Sequence, residues 1–594
     1  MRNDHTIWSL AKRLMITVLV LALSGCVTIP TTGAVQQVNP PPAGNGGPQV
    51  DVEPAAPVQD GNPDTILAGF LAAVASGSPN RFAIARLYLT AKAAEEWDPT
   101  QGATIYSSDG TPTIVNDTNA ILKAPVLGLI DSDGHYTSVS KPDFSHNFAM
   151  EQDANGQWRI GDPGSGVFIS QYRFQQSYRA IPVYFFNRAL DRLVVENIYM
   201  NWADDNATSV VEGLLRGPSA WLSPAALTLI PPQTKLAVSA VAVQDGVALV
   251  SLTQQANGLS DTQQLQMAAQ LYWTLRGVPS GITGLRIDVD GQPMSVRGQD
   301  ADGVITASTV AGYPTMVSPG SQVGYGLLTD GTVVKLSASA GDGPQPMAGP
   351  LGSVKAGLEE VPESLALSPD GAALALTTPS GLWAAPTAGG EAATRLLDVK
   401  ELVRPQVDDA GVWDISNDKA AHPTLWLVDA EGNTHKVALA DLAGAIVVSF
   451  RVAPDRSRIA VIVRQRGKDT LGLLRITSID PLSVSGWRPL VVDTGRGDLA
   501  ACADVGWVSP TQLVVLSSST KDANVVVYRM DVDAALVESL GPVAGDTPMA
   551  LAVQPRSEGT TALVVTRGNS VLQYEDRTRW TTLFSGLKAV ALPG

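Results

Sequence analysis

Few residues of this 594-residue chain could do chemistry, and the first is Cys26. Its thiol follows Leu23, Ser24 and Gly25 at the end of an apolar run, Leu14 to Leu23, broken only by Thr17. The other cysteine, Cys502, lies in the strand-like stretch ACADVGWV, where a buried and inert thiol is expected. The histidines His5, His135, His146, His422 and His435 show no metal-ligand spacing such as HExxH, so zinc is not indicated. Asp131-Ser132-Asp133-Gly134 reads as a turn rather than a calcium loop, because Pro142 stands where such a loop needs its closing Glu. Ser416 with Lys419 and Ser518 with Lys521 have S-x-x-K spacing, but they lack the companion motifs of acyl-serine enzymes and are expected in loops. No G-x-S-x-G elbow occurs, and Arg496-Gly497-Asp498 carries no weight. Glu95-Glu96, Glu359-Glu360 and Asp408-Asp409 are adjacent in sequence, so they point apart and read as solvated surface. No catalytic group, metal or cofactor is expected, and an enzyme would need residues converging from separate repeats.

The elements that position Cys26 come first in the chain. Arg2, Lys12 and Arg13 precede the apolar run, which is far shorter than the roughly 20 residues that span a bilayer. It therefore reads as a signal peptide, residues 1–25. Leu23-Ser24-Gly25-Cys26 resembles the lipobox of bacterial lipoproteins. That resemblance implies cleavage before Cys26, which becomes an N-palmitoyl, S-diacylglycerol cysteine anchored in the cell membrane with the protein on its extracytoplasmic face. Acyl chains contribute about 0.8 kcal/mol per buried methylene, so a diacylated residue holds without help from charge. Charge would not help: the net value is −16, and about −18 once the signal is removed, which excludes a nucleic-acid partner.

Residues 26–62 carry Pro30, Pro40 to Pro42, Pro48, Pro54 and Pro57 among glycines, too little apolar surface to fold, and read as a tether. Residues 63–178 begin with helical patterns, TILAGFLAAVAS capped by Asp64 and then RFAIARLYLTAKAAEEW. From Thr104 the period becomes two, with turns at Asp133-Gly134 and Asn155-Gly156. Helices followed by a curved antiparallel sheet make an α+β unit, and its GQWRI ending resembles the cone-like nuclear-transport-factor domains. Residues 179–298 hold strands IPVYFF and LVVENIYM and a helix with a capping box at Ser209 and Glu212, stopped by Gly217-Pro218. IPPQTKL, a hairpin turning at Asp245-Gly246 and a second helix capped by Ser260 and Gln263 complete the unit. This order resembles the GerMN domain, an α/β recognition module without catalytic activity. Trp202, Trp221 and Trp273 are expected to pack in its core.

Residues 299–594 repeat one theme, an apolar strand, a proline turn and a second strand: SLALSPDGAALAL, SFRVAPDRSRIAVIV, DVGWVSPTQLVVL and ALAVQPRSEGTTALVV. Pro369, Pro405, Pro454, Pro510 and Pro555 mark units about 36 to 56 residues apart, the spacing of propeller blades. With VGYGLLTDGTVVKL the count is six, and the final strand is placed to close the ring. The whole order resembles the LpqB family of actinobacterial lipoproteins. What the resemblance implies is an accessory regulator of a two-component system, binding the extracellular domain of the sensor kinase MtrB and tuning signalling to MtrA, with effects on envelope and division. The alternative is a solute or glycan receptor, possibly hydrolytic, using the propeller channel. Converging acids and aromatics in that channel favour the receptor; an apolar channel does not.

Overall fold

Asn62, not Asp64, opens the first helix, Pro63–Val74: its side chain accepts the Thr65 amide, and Pro63 occupies the first turn, where no amide partner is needed. The computed structural model describes residues 53–594 except 109–111, 117, 141–142, 317–320, 322, 337–342, 389, 418–421, 544, 556–560 and 577. The stretch RFAIARLYLTAKAAEEW is two short helices, Arg81–Arg86 and Ala91–Glu96, because Leu89 between them bridges to Ile160. The sheet they cover is mixed rather than antiparallel. Strand Ala103–Tyr106 runs antiparallel to Asn119–Ile130 but parallel to Val167–Ser170. Phe70, Trp97 and Phe148 form the centre of this core.

The second layered unit starts on the long hairpin Tyr178–Asn187 and Leu193–Asn201. Its helix Ala207–Arg216 is capped by Asn206, which accepts the Thr208 and Ser209 amides, so Ser209 lies inside the first turn instead of capping. Gly217 ends it at φ 89°, a conformation that favours glycine. The predicted turn Asp245-Gly246 joins Ala242–Gln244 to Val247–Leu252, both turn residues having positive φ. Helix Asp261–Arg276 carries the expected capping box, Ser260 with Gln263. Both helices and both sheets pack on one core that includes Phe185, Phe186, Val211, Leu271 and Ile287.

The remaining chain forms six four-stranded antiparallel sheets arranged as the blades of a β-propeller. The strand patterns explain the ring. In Ser364–Leu367 of the second blade, Leu365 and Leu367 pack against Tyr325 and Leu327 of the first blade, whereas Ala366 packs with Val407 of the third. In Gln512–Ser519 of the fifth, Leu513 and Val515 join the fourth blade's core while Val514 and Leu516 join the sixth's. Alternate side chains thus serve opposite neighbours, and each adjacent pair of blades has its own core. The last strand, Leu587–Ala591, pairs with Gly324–Leu328 and completes the first blade. Deleting residues 587–594 removes buried Leu587 and Val590, about 2 kcal/mol for each large side chain, and opens a sheet edge. The truncated chain is expected to lose its single sharp thermal transition by circular dichroism and to elute as aggregate in size-exclusion chromatography.

Candidate functional site: the propeller channel and its capped mouth

Innermost strands from all six blades line a central cavity of about 150 Å³. Its walls are largely apolar, with Leu365, Leu367, Val452, Ala552 and Val590. One mouth is ringed by the turns bearing Pro369, Pro454 and Pro555, the same prolines that mark the repeat in the sequence. Pro405 is not one of these turns. It precedes strand Gln406–Asp408, and the corresponding turn of the third blade is Asp409-Ala410.

The tip of the hairpin Tyr178–Asn201 docks on this rim. Arg192 pairs with Asp409 and donates to the Pro454 carbonyl at 3.3 Å. Arg456 reaches Asp191 at 3.3 Å and Asp409 at 3.5 Å. Arg458, only 2% exposed, donates to the carbonyls of Val195 and Pro510, each at 3.0 Å, and to Asp455 at 2.9 Å. Asp409 is exposed, as its sequence suggests, yet paired, whereas Asp408 is half-buried. Asp409 joins an ion cluster across the domain boundary. Asp408 accepts from Trp413 Nε1 at 2.9 Å and the Ala410 amide at 2.8 Å, and burial holds its carboxyl above the ordinary range.

Buried between the blades, Asp504 acts as a clasp. It receives Arg404 at 3.0 Å, the Ser449 hydroxyl at 2.6 Å and the Leu551 amide at 2.8 Å, joining the third, fourth, fifth and sixth blades around a single carboxylate. Arg404 also donates to the Leu551 carbonyl. Gln406 exchanges two hydrogen bonds with the Val452 backbone, at 3.1 and 2.7 Å. Trp507 is the aromatic lining residue among those described, and its indole N–H is held by the Arg451 carbonyl at 2.9 Å. Two acids, Asp408 and Asp409, and one aromatic, Trp507, are among the lining residues, and each is already hydrogen-bonded or paired within the protein.

A second polar cluster lies where all three domains meet. Tyr199 and Ala535 complete the core of the first domain, and the Tyr199 hydroxyl stands 3.0 Å from Asp531 and 2.9 Å from Asp533. A phenol has one proton to donate, so it can satisfy only one of two ionised carboxylates. Burial, followed for Asp531 by the charge of Asp533, raises both carboxyls well above their ordinary value. Arg488 donates to the Tyr136 carbonyl at 3.0 Å and faces Asp533. Beside it His135 lies 3.5 Å from both Asp131 and Glu196. Burial alone would depress its pKa, but the Asp131 contact and the Glu196 charge outweigh burial and raise it. Trp221 closes the junction: its indole donates to the Gly486 carbonyl at 3.0 Å, and its ring carries the guanidinium groups of Arg475 and Arg488 at 5.6 Å.

Trp221 packs on its own domain's core and on that of the propeller, so it is an interdomain wedge as well as a core residue, and Trp202 is 41% exposed beside Arg179. Trp273 packs on its own domain's core as expected. Leu23, Ser24, Gly25 and Cys26 lie outside the described residues. Ser416 and Ser518 are buried on strands, not in loops; Ser416 accepts from Trp426 Nε1, and Lys419 lies outside the described residues. The Cys502 thiol is buried against Ser517, and burial pushes its pKa to about 11. Asp131 caps its own turn by accepting the Asp133 and His135 amides, as the sequence indicates; Pro142 lies outside the described residues. Sequence reading missed Tyr199, Asp531, Asp533, Arg451 and Asp504. Buried acids within apolar strands, such as DVD at 531–533, were the available signal.

Residues 56–175 match the model of the lipoprotein LpqB N-terminal domain, and residues 331–593 match that of the lipoprotein LpqB beta-propeller domain. The chain belongs to the LpqB family of lipoproteins. Between these two segments, residues 182–295 match a sporulation and spore germination family, the GerMN domain of this LpqB-family chain. Lipoprotein LpqB of Cutibacterium acnes is 29% identical over 98% of this chain and 99% of its own length, and that of Thermobifida fusca 24% over 96% and 97%. Among solved structures, TolB from Acinetobacter baumannii aligns with 57% of this chain and 86% of its own at 14% identity and a TM-score of 0.33. A chain of a nidogen/laminin complex covers 46% of this chain and 97% of its own at 13% identity and a TM-score of 0.34.

The junction of this LpqB-family chain makes stability depend on pH. The folded state holds protons on Asp531 and Asp533 that the unfolded chain releases above the ordinary value of 3.8. Stability is therefore lost as pH rises through the raised folded values. His135, raised above 6.5, acts in the same direction, since its stabilisation is lost as pH rises through its raised value. Asp531→Asn supplies a donor without needing a proton. Its Tm relative to the natural chain is expected to be higher at about pH 8 than at about pH 5 in calorimetric scans. Tyr199→Phe removes the one phenolic donor and is expected to lower stability by about 1–3 kcal/mol, measured by urea unfolding.

Proposed function

We propose that this LpqB-family chain is a lipid-anchored docking protein that works on the outer face of the cytoplasmic membrane without catalysing a reaction. In this reading the signal, residues 1–25, is removed and Cys26 is acylated. Residues 26–62 tether the folded domains that begin near residue 63, with the GerMN unit at 179–298 and the propeller from 299. The partner is the extracellular domain of the sensor kinase MtrB, and the contact tunes signalling to the response regulator MtrA and so envelope and division processes.

One observation carries the reading. Residues 51–594 form a single unit whose domains are joined by buried contacts, Arg458 to Val195, Tyr199 to Asp531 and Asp533, and Trp221 to Gly486. Such contacts favour a fixed platform over a jointed arm, and a fixed platform suits recognition of a large protein surface. The groups that could have served catalysis are otherwise engaged: Ser416 with Trp426, Cys502 with Ser517, and Asp504 with Arg404. The glycan-receptor alternative has less support, because the channel presents aliphatic walls where sugar binding uses aromatic faces and free acids.

The full-length lipoprotein in detergent is expected to be retained by immobilised MtrB extracellular domain at about micromolar concentration. A clean absence of retention, with MtrB folded by circular dichroism, removes the kinase as partner. Cys26→Ala is expected to move the protein from the membrane pellet to the soluble or unprocessed fraction on cell fractionation. If it stays membrane-bound and processed, the anchor is elsewhere.

A further inference from the structure

We propose that the propeller channel binds a small organic carboxylate, with the Arg451 guanidinium group as its partner. The site lies inside the propeller and does not rest on the kinase reading.

Arg451 is 9% exposed and lines the cavity. Its recorded hydrogen bonds both leave from Nη1, to the carbonyls of Phe450 at 2.5 Å and Arg404 at 3.4 Å. Among the described residues no carboxylate comes within ion-pair distance of it. The acids nearby are all engaged: Asp504 by Arg404, Asp408 by Trp413 and Ala410, and Asp409 by Arg192 and Arg456. Nε and Nη2 take no part in either bond. A guanidinium carries five N–H donors and stays charged at any physiological pH. Burying such a charge without an anion is unfavourable by several kcal/mol. A channel that carries one is therefore built to receive an anion, not merely to pack.

The walls select the kind of anion. Val452 and Ala552 face the same space as Arg451, with Leu365, Leu367 and Val590 completing it. These side chains pack between the blades, so what they turn to the cavity is a small aliphatic surface, and a short aliphatic chain ending in a carboxylate matches both wall and guanidinium. The carboxylate can take two parallel N–H bonds from one guanidinium. The volume of about 150 Å³ is well below the roughly 300–1,000 Å³ of sites for drug-sized ligands. It therefore limits the occupant to a handful of heavy atoms.

The test is isothermal titration of the detergent-solubilised full chain with butyrate, butyramide and inorganic phosphate. Butyrate is expected to bind, and butyramide, equal in shape but neutral, is not. Arg451→Met is expected to weaken butyrate at least about tenfold, the consequence of losing a charged hydrogen-bond partner. Should that variant fail to give the natural melting profile, Arg451→Lys keeps the charge but not the planar fork, and a measurable weakening there supports the site equally. No binding of butyrate at about 10 mM, equal binding of butyramide, binding of phosphate alone, or unchanged affinity in a folded Arg451 variant each overturns the proposal.

Discussion

A β-strand has two faces, and in this propeller nearly every inner strand is apolar on both. That constraint governs the rest of the molecule. Leu365 and Leu367 need the first blade, Ala366 needs the third, and the same division of alternate side chains recurs around the ring. No blade can bury its faces without a neighbour on each side, so the array is stable only when closed. Closure uses the last strand of the chain beside the first strand of the array, Leu587–Ala591 against Gly324–Leu328. The channel follows from it, because six inner strands held at a common centre leave a space that their side chains do not fill.

Closure also creates the platform on which the other domains sit. The proline turns that end the inner strands come together on one rim, and the hairpin 178–201 settles on them through Arg192, Arg456 and Arg458. The Arg458 contacts are charged and buried, while Arg192 and Arg456 reach carboxylates that stay exposed. Such groups destabilise the structure when separated from their partners more than they stabilise it when paired, so their effect is to fix one relative position. The Tyr199 cluster acts similarly, placing one donor between two buried acids. The outer surface is therefore composed of several domains in set register, and a buried proton belongs to that arrangement.

The channel and the junction differ in what they leave unsatisfied. At the junction the acids exceed the donors, and protons make up the difference. Beside the channel Asp504 is saturated by blade-joining bonds, while among the described residues the Arg451 guanidinium has only carbonyl partners. The acids at the mouth, Asp408 and Asp409, are taken up by protein donors, and the guanidinium beside aliphatic walls draws attention to small acids as the chemistry the interior recognises.

Much of the architecture was legible in the one-dimensional pattern because its signals are local. Six units follow from period-two strands punctuated by proline. The Asp245-Gly246 turn and the Ser260 and Gln263 capping box form from residues within a few positions of each other. Where two local candidates competed, as with Asp64 against Asn62 or Ser209 against Asn206, the choice depended on where the preceding chain entered the helix. The parallel pairing of Ala103–Tyr106 with Val167–Ser170 joins segments too far apart for any turn to announce. Sequence alone determined the kinds of unit and their order, since these rest on composition, period and neighbouring residues. Tertiary structure alone decided that Asp408 is half-buried, that Trp221 wedges between domains, that Tyr199 meets two acids over 300 residues away, and that Arg451 is left without a carboxylate. Burial and charge pairing are properties of the assembled volume, which no stretch of chain contains.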